Sequence, residues 1–367
     1  MINLTSEEKY WVWLSTVHGI GPVKFYDIIN YFEDAKTAWE NVGEISHIIK
    51  GIGDATAKNL IQSANDSYIE DFLKELDTKQ IKMATRLDQC YPQTLANIEN
   101  PPPLLYYKGI LPDFEDRTCG MVGSRRPTKF GFNIAHDISY NLASQNVLII
   151  SGLARGIDTA AHTGALDAGG MTAAVVGCGV DVIYPAENRN VYEKIIENGV
   201  ILSEFPPGEE PLAKNFPQRN RIIAGLSQAL IVGEGGEKSG ARITADYALR
   251  QGIDIYATVC DLKSTMAKLP LYLLDSGSMM ITDGYEVMRS QKWEINAKKR
   301  KAKNKSDNKL DLFEAQIYNL LLKEDLSAEE LANYLEANMK DVNTAITVME
   351  LKSLISSLPG GKFSINN

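Results

Sequence analysis

Apolar residues form short continuous runs through the middle of the chain and fall at helical spacing on either side of it. The runs at 119–123, 147–151, 172–177, 200–204, 229–233, 253–259 and 278–282 have the length and near-continuous hydrophobicity of strands buried on both faces. Helical patterns at 130–144, 157–168, 189–198 and 239–251 alternate with them. Such alternation predicts an α/β fold, a doubly wound, mostly parallel sheet with its ligand at the carboxyl ends of the strands. Residues 104–108 read as a short edge strand, and Pro92 with Pro101, Pro102 and Pro103 reads as a linker.

Residues 1–90 read as a small helical domain. Two segments there share one pattern, Val17-His18-Gly19-Ile20-Gly21 and Ile49-Lys50-Gly51-Ile52-Gly53, each leading into a helix. This is a helix–hairpin–helix signature, whose turn exposes N–H groups to a backbone phosphate. The alternative is that the glycines only permit close helix packing. Residues 104–292 make the core. A linker at 293–309 follows, basic through Lys298, Lys299, Arg300, Lys301, Lys303, Lys305 and Lys309. It reads as a solvated tether or as an arm adding non-specific DNA affinity. Residues 310–367 read as three helices and a β ribbon, a winged-helix pattern with a capped start at Ser327. That segment carries nine acidic residues and four lysines, which favours a structural or protein-contact module.

Three blocks carry the candidate chemistry: Gly123-Ser124-Arg125-Arg126, Ser151-Gly152-Leu153-Ala154-Arg155-Gly156-Ile157-Asp158, and Arg219-Asn220-Arg221. The first two each follow a strand and enter a helix, a geometry that aims backbone N–H groups and a helix dipole at an anion. Their arginines match phosphate oxygens with forked donors. Phe216 beside Arg219 and Arg221 suits a single strand, with its ring under a base and the guanidinium groups on phosphates. The glycine-rich loop 234–240, with Lys238, Ser239 and the following Arg242, is a candidate fourth wall. Asp158 and His162, four apart on one helix, read as a structural pair with Asp158 capping the helix.

The chain of 367 residues is 44% hydrophobic and 23% charged, with a net charge of −9. Any nucleic-acid site must therefore be a local basic patch on an acidic body. No apolar run approaches the ~20 residues of a membrane helix. Cys90, Cys119, Cys178 and Cys260 form no C-x-x-C pair, which fits a reducing cytoplasm without disulfides or a metal finger. Gly177-Cys178-Gly179 lacks the third glycine of a dinucleotide fingerprint, and Glu237 stands where a Walker A loop needs glycine. No activated nucleophile, metal cluster or acid–base pair is visible, so no turnover and no cofactor are expected.

Taken in order, these blocks resemble the DNA-processing protein A family (DprA, also called Smf). The resemblance rests on Met121–Arg125, Ser151–Asp158 with Ala161-His162, Tyr184–Asn188, Ser203–Gly208, Phe216–Ser227 and Lys238-Ser239-Gly240. It implies a Rossmann-like core flanked by helix–hairpin–helix-like and winged-helix-like domains. It also implies a dimer that binds single-stranded DNA, protects it and loads the RecA recombinase during natural transformation. The segment from Val259-Cys260-Asp261 to Leu271 departs from the family pattern, which puts in question what that wall contributes. A related reading within the same fold is a nucleotide sensor or a nucleotide N-glycosidase-like enzyme. Against it, the loop Glu234-Gly235-Gly236-Glu237 lacks the proline and threonine those enzymes use.

Overall fold

The structure is a computed structural model that describes residues 4–261, 263–296, 312–322, 324–335, 337–351, 354–358 and 361–365. Most of the basic linker lies outside the described residues. The chain divides into two compact units, 1–296 and 297–367.

The first unit is built on a nine-stranded sheet. Its strands are β1 (Lys82–Thr85), β2 (Leu104–Gly109), β3 (Thr118–Val122), β4 (Leu148–Ser151), β5 (Thr172–Val175), β6 (Gly199–Ser203), β7 (Ala229–Val232), β8 (Asp254–Thr258) and β9 (Met279–Ile281). The spatial order is β1-β2-β6-β5-β4-β3-β7-β8-β9. All neighbours from β6 to β9 in that order run parallel. β2 pairs antiparallel with β6, and β1 antiparallel with β2. The chain enters this parallel sheet at its middle strand, β3. It winds outward through β4, β5 and β6, then returns to β7 on the other side. The direction of winding thus reverses between β3 and β7. In a doubly wound sheet that reversal opens a crevice at the carboxyl ends.

Successive residues of each strand point to opposite faces, and each face has its own core. Met121, Ile149 and Ile231 pack with Ala135, Ile138 and Ala161 from the helices Lys129–Ser144 and Ile157–Asp167. Val122, Ile150 and Leu230 pack with Ile222 and Ala245 from the helices Asn215–Gly225 and Gly240–Arg250. This is the Rossmann-like α/β architecture that the apolar runs predict.

Two expectations are corrected here. Residues 104–108 do not form an edge strand, because β1 lies outside β2. The prolines at 101–103 are buried rather than exposed in a linker. Tyr91 donates its hydroxyl to the Pro102 carbonyl at 2.7 Å, and the Trp11 indole N–H donates to the Pro103 carbonyl at 2.8 Å. That second bond ties the N-terminal helices to the core. Those helices have their own cluster around Trp11, Trp13, Phe25 and Ile28. The first glycine turn of the repeated pattern packs against the helix that follows the second, Asp54–Ser63: a Cβ at Gly19 would stand 2.4 Å from Thr56 Oγ1.

The second unit holds the helices Leu312–Leu321, Ala328–Tyr334 and Met339–Leu351, and the strands β10 (Leu326–Ser327), β11 (Ile355–Leu358) and β12 (Lys362–Ile365). The strands form an antiparallel sheet in the order β10-β12-β11. Ser327 and Glu330 form the reciprocal cap that their spacing predicts.

Candidate nucleic-acid interface

The crevice between β3 and β7 is an open cleft of about 660 Å³. The loop after β3 supplies Gly123, Ser124 and Arg125 to its lining. The loop after β7 and the helix it enters supply Gly236, Lys238, Ser239, Gly240 and Thr244. The helix Asn215–Gly225 supplies Phe216, Arg219 and Asn220.

Glu234 fixes the first loop against the second. Its buried carboxylate accepts from the Thr128 N–H at 2.7 Å and the Thr128 hydroxyl at 2.6 Å, and its carbonyl accepts from the Ser124 N–H. Thr128 in turn caps the helix Lys129–Ser144. Gly156 closes the arrangement from the third side. It has φ +79°, and a Cβ there would lie 2.3 Å from the Ser124 carbonyl, so any side chain would push the first loop away. Between these supports, the N–H groups of Arg125, Gly236 and Lys238 donate to no protein group among the described residues. Arg125 and Lys238 are exposed and form no ion pair among the described residues. The two free cations and the free N–H groups therefore line the same opening. The Ser239 hydroxyl is committed to capping the helix Gly240–Arg250 through the Ala241 N–H.

The aromatic wall is Phe216. Its ring is half-buried and lies against Gly177, where a Cβ would come within 3.1 Å of it. The Arg125 guanidinium stands 5.3 Å from the ring centroid and Tyr184 5.5 Å from it. Tyr184 is a cleft residue to which its motif, Tyr184–Asn188, assigns no role. The only signal it gave was an aromatic residue in the loop beyond a buried strand. Met266 is a second cleft residue that no motif singled out. It comes from the divergent segment and lies 3.5 Å from the Ser124 hydroxyl.

Within the second block, two N–H groups expected to face an anion are taken by the protein itself. Asp158 occupies that nest itself, accepting from the Gly152 N–H at 3.1 Å and the Ala154 N–H at 3.3 Å. Asp158 is therefore not a helix cap, and the helix Ile157–Asp167 has Gly156 at its N-cap. Burial raises the Asp158 pKa, against the opposing pull of Arg219 and these two N–H groups.

Nor does the expected pair with His162 form. His162 Nδ1 lies 2.7 Å from Thr172 Oγ1, whose hydroxyl donates to the Ile149 carbonyl. The threonine proton is thus committed, so Nδ1 carries the imidazole proton and Nε2 is left buried without a partner among the described residues. Burial holds the His162 pKa down at about 3, from the ordinary 6.5. Between those values the unfolded chain binds a proton that the folded chain refuses, so stability falls as pH drops below about 6.5. Relative to His162→Gln, the parent is expected to lose ~1.4 kcal/mol per pH unit between about pH 6 and 4. Denaturant unfolding across that range measures it, and parallel curves for the two proteins would refute the assignment.

The arginines separate into different roles. Arg219 is buried. Its guanidinium donates to the Gly152 carbonyl at 2.7 Å and to the Val175 carbonyl, while its Nε donates to Asn220 Oδ1. Burial lowers its pKa to about 10, so it remains charged at neutral pH. Gly152 must be glycine here, since a Cβ would lie 2.2 Å from that guanidinium. Arg221 does not reach the cleft. It forms a bidentate pair with Glu204, at 2.9 and 2.7 Å, in a separate cavity of about 540 Å³. Arg126 and Arg155 are exposed outside the lining, with Arg155 paired to Glu187. Arg242 stacks on Tyr272.

A doubly wound sheet with a cationic, aromatic-walled cleft at its switch point defines a Rossmann-like protein. Residues 82–292 match the family described as DNA recombination-mediator protein A. The protein Smf of Synechocystis is 38% identical over 289 residues, covering 78% of this chain and 73% of that protein. DprA of Streptococcus pneumoniae is 41% identical over 202 residues, or 55% of this chain and 71% of that one. The X-ray structure of the S. pneumoniae DprA superposes with a TM-score of 0.69 at 32% identity, covering 80% of this chain and all of that one. A Helicobacter pylori DprA structure, described for its single-stranded DNA binding mode, superposes with a TM-score of 0.53 at 26% identity, covering 59% of this chain and 98% of that one. The chain belongs to the DprA/Smf family of DNA recombination mediators. Among the described residues, no helix is long and apolar enough to cross a membrane.

Proposed function

We propose that the cleft holds single-stranded DNA and that the protein delivers the strand to a RecA recombinase, acting as a homodimer in the cytoplasm during transformation. The observation that carries this reading is the pairing of two cations that form no ion pair among the described residues, Arg125 and Lys238, with the partly exposed rings of Phe216 and Tyr184. The cations suit phosphates and the rings suit unstacked bases, which duplex DNA hides. The H. pylori relative, described as binding single-stranded DNA, supports the same ligand.

No catalytic step is assigned. Among the described residues, the one carboxylate in the cleft lining, Asp158, is committed to two backbone donors, and His162 is buried against Thr172. The cleft volume also admits a single nucleotide, so the test compares three ligands. In a binding titration at moderate salt, single-stranded DNA is expected to bind at least about tenfold tighter than duplex or mononucleotide. A preference for the mononucleotide would replace this reading with that of a nucleotide sensor.

Phe216→Ala is expected to weaken single-strand binding about fivefold or more, since base stacking on an aromatic side chain is worth ~1–3 kcal/mol. The dependence on salt should stay as in the parent, because no phosphate contact is lost. Parent-like affinity in the folded variant would make Phe216 a packing residue only.

A further inference from the structure

Through Met266, the divergent segment forms part of the cleft wall. Met266 lines the cleft, its carbonyl accepts from the Gly235 N–H at 2.7 Å, and the Leu269 N–H returns a bond to the Gly235 carbonyl at 2.9 Å. These two bonds pin the helix Lys268–Asp275 to the glycine loop that carries Lys238. That helix exposes Tyr272 at 42%. The Arg242 guanidinium lies 4.4 Å over the Tyr272 ring and forms no ion pair among the described residues. Arg242 belongs to the helix Gly240–Arg250, whose next residues, Ile243 and Thr244, line the cleft.

We propose that Tyr272, with Arg242 stacked on it, is a second base platform that engages single-stranded DNA where the strand leaves the cleft past Lys238. The proposal rests on the single-stranded DNA reading above. An exposed aromatic ring held flat by a cation gives a base a rigid face to stack on, at little cost in side-chain entropy. The edge of a stacked guanidinium keeps its N–H donors free for a phosphate. Arg242 lies between the cleft residues Ala241 and Ile243, and the helix of Tyr272 is anchored through the same glycine loop, so one strand can contact cleft and platform in succession. Lys268, on the same helix, adds positive charge at this edge, partly offset by Glu237 at 4.0 Å.

The test is affinity as a function of length, with oligothymidines from about four to about twenty nucleotides. For the parent, affinity should step upward once the strand is long enough to pass the cleft. Tyr272→Ala should lose that step, binding the longest strand about fivefold or more weakly. Tyr272→Phe should keep it, because the ring remains. Arg125→Ala serves as the control and should weaken binding at every length. If Tyr272→Ala follows the parent curve throughout while Arg125→Ala does not, the platform is refuted and the cleft reading stands. If Arg125→Ala also follows the parent curve, the cleft reading itself fails. Tyr272 is exposed, so its removal should leave the melting temperature close to that of the parent. A folded Tyr272→Ala that loses affinity equally at all lengths would place Tyr272 inside the cleft site and overturn the proposal.

Discussion

Arg219→Ala is expected to destabilise the first unit by ~3–5 kcal/mol, the cost of breaking a buried charged network by removing one partner. The guanidinium bridges the Gly152 carbonyl, just past β4, and the Val175 carbonyl at the end of β5. It thereby ties two adjacent strand ends to the helix Asn215–Gly225. Removing it leaves both carbonyls without that donor, takes away the positive charge near the buried carboxylate of Asp158, and opens a void beside Gly152. Urea unfolding measures the loss. A cost below about 1 kcal/mol would mean that the network is held by something else. Arg221→Ala should likewise act on stability rather than on DNA affinity, because Glu204 would lose both of its guanidinium bonds.

Arg125→Ala is expected to act in the opposite way. Arg125 is exposed and its principal protein contact is the face of Phe216, so the fold should tolerate its loss. A charge-assisted bond to phosphate is worth ~1.5–3 kcal/mol, which corresponds to about ten- to a hundredfold in affinity for single-stranded DNA. Arg155→Ala should cost far less, since Arg155 stands outside the cleft and is engaged by Glu187. Anisotropy titrations of the two variants at one salt concentration should separate them clearly. Equal losses would mean that the phosphate path runs over both residues.

The sheet was legible because buried parallel strands leave apolar runs that few other structures produce. The runs at 147–151 and 229–233 became β4 and β7 to within a residue of their ends. The helix Asn215–Gly225 was not legible. Its sequence Gln218-Arg219-Asn220-Arg221 has a polar surface character, yet Arg219, Asn220 and Arg221 are all buried. Their burial depends on carbonyls and a carboxylate supplied by β5, the loop after β4, and Glu204, none of which local pattern can bring together. For the same reason the sequence could not tell the arginines that face the cleft from those committed to the protein. An arginine that satisfies strand-end carbonyls and one that faces solvent look alike in a motif. Asp158 and His162 show the limit of helical spacing as a guide. Four residues apart, they were free to touch, but the first turn aims Asp158 back at the preceding loop, while His162 faces Thr172 under the sheet. The position of the cleft was legible, because the glycine-rich loops after β3 and β7 fall on either side of the switch point whatever their individual contacts.

The central claim is that this cleft binds a polyanionic strand through its own free cations. It is tested most directly by the salt dependence of single-stranded DNA affinity, measured side by side for the parent and Arg125→Ala. The account predicts a linear fall of log affinity with log salt, with the slope of the variant shallower by about 0.7, the value for one single-strand phosphate contact. An affinity that does not change with salt, or a variant with the slope of the parent, would contradict it.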